Sequence, residues 1–92
     1  MDVNEPDWSA KALIVDDDAD NHLLIRHALR ATPNIQVFGT TDCTAAVQMF
    51  EDVQPDIVLM DLHMSPMSGF EVIERILEKV PSTTYLPILV LT

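Results

Sequence analysis

The stretch Pro55–Gly69 reads PDIVLMDLHMSPMSG. An apolar run, Ile57 to Met60, ends abruptly in Asp61; a loop of small, prolyl and methionyl residues leads to Gly69, and a helical pattern then begins. A short continuous apolar run bounded by turn signals is what a strand buried on both faces looks like. Asp61 therefore falls at the carboxyl end of a buried strand, where open parallel sheets gather ligands and chemistry. The plainer alternative, that Asp61 caps the next helix, requires a helix starting at once. The loop to Gly69 is too long for that.

Upstream, Ala10 to Val15 (AKALIV) reads as a first buried strand closing on Asp16, Asp17 and Asp18. Asp18 or Asp20 can cap the helix that follows, predicted from about Ala19 to Ala31, because a carboxylate accepts from the free amides of a first turn. Leu24, Ile25, Ala28 and Leu29 form its expected inward stripe, with Arg26 and Arg30 in water. Thr32, Pro33 and Asn34 stop it. Ile35 to Phe38 is a short second strand, placed at the sheet edge because Gln36 interrupts the apolar run, and Gly39 to Asp42 turns the chain. A second helix, about Thr44 to Val53, carries Ala46, Met49, Phe50 and Val53 at helical spacing. It ends at Gln54, since the residue before a proline is pushed out of the helical region.

Downstream of Asp61, a third helix over about Gly69 to Val80 is expected to turn Phe70, Ile73, Ile76, Leu77 and Val80 inward. Pro81 to Leu86 is a loop, and Pro87 to Thr92 (PILVLT) is a fourth buried strand. Strands alternating with connections of helix length specify an α/β fold: a doubly wound parallel sheet with helices on both faces and right-handed crossovers. Met1 to Ser9 reads as a flexible lead-in, in which Trp8 could anchor on the domain, and residues 10–92 as one domain. The chain stops at the end of an apolar strand. Buried parallel strands need cover on both faces, so the expectation is a fragment of a longer protein.

Composition sets further bounds. Ninety-two residues, 48% of them hydrophobic, make one small globular domain with a thin stability margin. A net charge of −10 speaks against nucleic acid and anionic membrane, both of which attract basic patches. Cys43 stands alone, so no internal disulfide can form, which fits a reducing cytoplasm. No apolar run approaches the roughly twenty residues that span a bilayer. Two glycines, Gly39 and Gly69, cannot make a glycine-rich phosphate loop or dinucleotide fingerprint.

With strand order 2-1-3-4, the first and third strands are neighbours, and the crevice between their carboxyl ends is the topological switch point. Asp16, Asp17 and Asp61 would converge there. Carboxylates that close repel unless a cation intervenes, and hard oxygen ligands suit Mg²⁺. A carboxylate beside Mg²⁺ can attack phosphorus and form an aspartyl phosphate. Thr92, ending the fourth strand, would offer a hydroxyl to a phosphoryl oxygen. His22 and His27 lie five apart on one helix, share no face, and read as solvated. Cys43 reads as an inert small side chain.

In LIVDDD, PDIVLMD, MSPMSG and PILVLT the chain resembles the receiver domains of two-component response regulators, from Lys11 to Thr92. The resemblance implies a flavodoxin-like fold, here without a fifth strand and last helices, and phosphoryl transfer to Asp61 from a histidine kinase or histidine phosphotransfer protein. It implies that Asp17 ligates Mg²⁺ directly, Asp16 directly or through water, and His63 through its main-chain carbonyl. It makes Thr92 the switch residue and an output domain the target of the switch. Two features depart from the family. Ser65 separates Met64 from Pro66, and none of Lys11, Arg26, Arg30, Arg75 and Lys79 lies where the family's phosphoryl-pairing lysine belongs. Two other readings stand beside this one. A phosphorylation-incompetent fragment would associate through its uncovered strand edge as a homodimer, by exchange of elements between protomers. A Mg²⁺-dependent phosphohydrolase with an aspartyl nucleophile would want a second Asp two residues on, where this chain has His63.

Overall fold

A computed structural model describes residues 9–91; Met1–Trp8, with the anchoring expected of Trp8, and Thr92 lie outside the described residues. Four strands and three helices alternate: β1 (Ala10–Val15), α1 (Ala19–Leu29), β2 (Ile35–Thr40), α2 (Ala46–Val53), β3 (Ile57–Asp61), α3 (Gly69–Glu78) and β4 (Ile88–Leu91). All strand pairs are parallel and the order is β2-β1-β3-β4. The sheet is thus the doubly wound, flavodoxin-like one anticipated, with β2 at an edge. No helix among the described residues is long and apolar enough to cross a membrane.

Local chemistry fixes the helix ends. The Asp18 carboxylate accepts from the Asp20 amide at 2.9 Å and caps α1, and Ser68 Oγ accepts from the Glu71 amide at 3.3 Å and caps α3. Before α2 comes a short 3₁₀ turn, Cys43–Ala45, capped by Asp42. The Thr44 hydroxyl, and after it the Thr44 amide, hold the exposed Asp42 carboxyl below its ordinary value. Gln54 closes α2 in the left-handed region, with φ 52°.

Alternation along the strands divides the sheet into two faces. Leu13 and Val15 of β1 and Val58 and Met60 of β3 point to one face, where Cys43, Ala46, Val72 and Ile76 complete a buried cluster beneath α2 and α3. Ile14, also fully buried, belongs to the opposite face, where its β2 partner Gly39 meets His22 of α1. Two helix faces and two strands differ from expectation: β2 runs on through Gly39 to Thr40, where a turn was expected, and β4, expected buried, leaves Leu89 52% and Val90 46% exposed. On α3 the buried residues are Gly69, Val72 and Ile76, with Ile73 half-buried, whereas Phe70 is 62% and Leu77 50% exposed. Phe70 and Leu77 form a neighbouring stripe seven residues apart, rotated off the core-facing one. On α1 the inward residues are His22, Ile25 and Leu29, while Leu24 is 68% exposed. His22, expected in solvent, is buried.

The division on α3 has an energetic signature. Ile76→Ala empties a fully buried site and should cost about 2–5 kcal/mol in urea unfolding, whereas Leu77→Ala should cost clearly less. Equal losses would mean that the helix face is misassigned.

Candidate functional site

Parallel pairing of β1 with β3 matches Val15 with Met60. One residue further along each strand come Asp16 and Asp61, side by side at the switch point. Asp17 joins them: Asp16, Asp17 and Asp61 each offer a carboxylate oxygen, and these oxygens all lie within 4.8 Å of one another. The acids expected to converge do so.

Their surroundings differ. Asp16 is 1% exposed, and both its oxygens are engaged: Oδ1 accepts from the Asp18 amide and Oδ2 from Asn21 Nδ2, each at 2.9 Å. Asp17 is exposed and its carboxylate accepts no hydrogen bond among the described residues. Asp61 is partly buried; its Oδ1 accepts from the His63 amide at 3.0 Å, and its Oδ2 accepts none among the described residues. None of the three pairs with a lysine or arginine among those residues. One fixed acid and two with free oxygens form a hard-oxygen donor set, which fits a divalent cation. Thr92, expected to face this pocket, lies outside the described residues.

The loop after Asp61 is tied down at both ends. Met64 is buried in the α2–α3 core, and the Met67 amide donates to Cys43 Sγ at 3.4 Å, so Cys43 holds the loop as well as packing. The Gly69 amide donates to the Leu62 carbonyl at 3.1 Å. A Cβ at Gly69 would fall on the Asp61 carbonyl oxygen and 2.7 Å from Leu62 Cα. The start of α3 can therefore press against the end of β3 only without a side chain. A hollow of about 640 Å³ between α2 and α3, with Thr44, Glu71 and Arg75 among its walls, is lined by none of Asp16, Asp17 and Asp61.

Sequence reasoning missed His22. Its Nε2 lies 2.7 Å from the Asp16 main-chain oxygen, and its ring rests on Gly39 of β2. A glycine inside a strand often marks close approach of another group; Gly39 read as the start of a turn hides that signal, which appears only once β2 is seen to run on to Thr40.

Comparison with known proteins agrees with this geometry. A sequence model of the response regulator receiver domain matches residues 12–92. The chain belongs to the response regulator receiver family. It is 42% identical over 72 residues to a protein-glutamate methylesterase/protein-glutamine glutaminase of Geobacter metallireducens, covering 77% of this chain and 21% of that protein. It is 38% identical over 87 residues to the transcriptional regulatory protein YdfI of Bacillus subtilis, covering 89% of this chain and 37% of that one. The crystal structure of the response regulator domain of Thermotoga maritima CheB superposes with a TM-score of 0.75 at 25% identity, covering 89% of this chain and 60% of that chain. The chain thus spans well under half the length of these two curated relatives. Receiver domains are signalling modules, and this chain corresponds to the receiver part of such proteins.

Gly69→Ala tests how the acid is seated. Alanine is the better helix former by about 1 kcal/mol, yet the clash should outweigh that gain and leave the variant about 1–3 kcal/mol less stable in denaturant unfolding. A stabilised variant would contradict the close approach of α3 to Asp61.

Proposed function

We propose that the chain is the phosphoacceptor module of a response regulator, taking a phosphoryl group onto Asp61 from a histidine kinase or a histidine phosphotransfer protein. The observation that supports this best is the convergence of the Asp16, Asp17 and Asp61 oxygens within 4.8 Å from two adjacent strands. In the transfer, a carboxylate oxygen of Asp61 attacks phosphorus, the bond from phosphorus to the donor imidazole nitrogen breaks, and its electron pair stays on that nitrogen. Asp61 Oδ2 is the oxygen free to attack, because Oδ1 is held by the His63 amide.

Asp17, with its unencumbered carboxylate, would hold Mg²⁺ directly. Asp16, already engaged at both oxygens, suits contact through water, and the main-chain carbonyl of His63 would add a ligand. Mg²⁺, when bound, would offset charge on the phosphoryl oxygens. Thr92 is the residue we assign to meet the phosphoryl group with a hydroxyl. Residues 10–92 form the module in this reading, and residues 1–9 lead into it.

The output is a population shift. Added charge and new hydrogen bonds at Asp61 would favour one of two arrangements of the loop that ends at Gly69, and an output domain or partner would read the difference. The module is a switch that assists its own phosphorylation. Leu89 and Val90 of β4 are exposed large apolar residues, and β4 pairs only with β3 among the described strands. Such an edge suits pairing with a second copy or with further sheet.

Exposure to a small acyl phosphate should label the chain in the presence of Mg²⁺ and not in its absence, and Asp61→Asn should reduce labelling to background. Labelling that survives the substitution would remove Asp61 as the acceptor.

A further inference from the structure

Among the described residues, the two buried polar or charged side chains are Asp16 and His22, and they belong to residues bonded to each other. Burying an imidazole is costly unless it finds a partner. Here the partner is the Asp16 main-chain oxygen, 2.7 Å from Nε2. A carbonyl can only accept, so Nε2 carries the proton and donates. His27, by contrast, is exposed.

The bond sits where β1 hands over to α1. Asp16 is then held at three points: its carbonyl by His22, its Oδ2 by Asn21, and its Oδ1 by the Asp18 amide. Two of the three grips come from consecutive residues of α1. The ring also has a seat made for it, because a Cβ at Gly39 would lie 2.6 Å from His22 Nδ1 and 2.9 Å from Cε1. Gly39 is the β2 partner of Ile14 on β1. The imidazole therefore bridges the edge strand, the central strand and the helix at the rim of the acidic pocket.

We propose that His22 is a positioning residue of this pocket: its Nε2–H, seated over Gly39, fixes the backbone at Asp16 and thereby aims the Asp16 and Asp17 carboxylates at a shared cation. The cation part rests on the function proposed above; the fixing of Asp16 does not.

The test compares His22→Leu, which keeps bulk and loses the donor, with His22→Gln, whose side-chain amide can still donate. Two quantities are measured in the 92-residue chain. The first needs no metal: the exchange rate of the Asp18 amide, which donates to Asp16 Oδ1, should rise about tenfold in His22→Leu and stay near wild type in His22→Gln. The second is the Mg²⁺ dissociation constant by calorimetry, expected about tenfold weaker in His22→Leu and within about twofold of wild type in His22→Gln. An unchanged Asp18 amide in His22→Leu, or equal changes in the two variants, would overturn the proposal. Should wild type bind no Mg²⁺, the cation reading fails, and Asp18 exchange still decides the role of His22. Should His22→Leu not fold, Gly39→Ala, which crowds the ring without removing it, takes its place. It is expected to speed Asp18 exchange, and an unchanged rate would count against the proposal.

Discussion

Pairing of β1 with β3 is the constraint on which the rest of the structure depends. The register that matches Val15 with Met60 brings Asp16 and Asp61 abreast, and Asp17 follows within reach of both. Side chains alternate along a strand, so a slip of one residue would turn every core position of β3 outward. Val58 and Met60 are fully buried against α2 and α3, which specifies the register strongly. The apolar core and the acidic pocket are therefore one design. Packing that excludes water from Leu13, Val15, Val58 and Met60 also sets where the acids emerge.

Three carboxylates so close repel one another, and the folded chain offsets this in two ways. Hydrogen bonds from the Asp18 amide, Asn21 and the His63 amide neutralise part of the lone-pair field on Asp16 and Asp61. What remains, chiefly on Asp17 and Asp61 Oδ2, is charge that a divalent cation can balance. Anchoring on the other side is mechanical. Ser68 caps α3, Gly69 lets it press on β3, and Cys43 and Met64 hold the intervening loop to the core. The loop that follows Asp61 is thus held to the core along its length, from the His63 amide on Asp61 to the Gly69 amide on the Leu62 carbonyl.

Much of this was legible in the residues. Two apolar strands close on a feature that can be read, the aspartates after Val15 and Met60, and the alternation with helical segments permits few topologies. An aspartate cap on α1, open in the residues between Asp18 and Asp20 and made by Asp18, and the stop at Gln54 also follow from local chemistry. Which stripe of a helix turns inward was less legible. Phe70 and Leu77 are as apolar as Val72 and Ile76, and only packing against the sheet chooses between stripes one residue apart. His22 was least legible, because an imidazole in a helix looks solvated until the Asp16 carbonyl and the bare backbone at Gly39 are seen around it. Those partners come from β1 and β2, and only the assembled sheet brings them to the helix.

The central claim is that the ends of β1 and β3 share one divalent cation. Mn²⁺, which takes similar oxygen ligands and broadens the NMR signals of nearby nuclei, tests it most directly. At one equivalent, the amide signals of Asp17 and Asp18 should broaden together with those of Leu62 and His63, and signals at the opposite end of the sheet, such as Lys11 and Asp56, should stay sharp. Broadening confined to one strand end, or spread evenly over the acidic surface, would contradict the account.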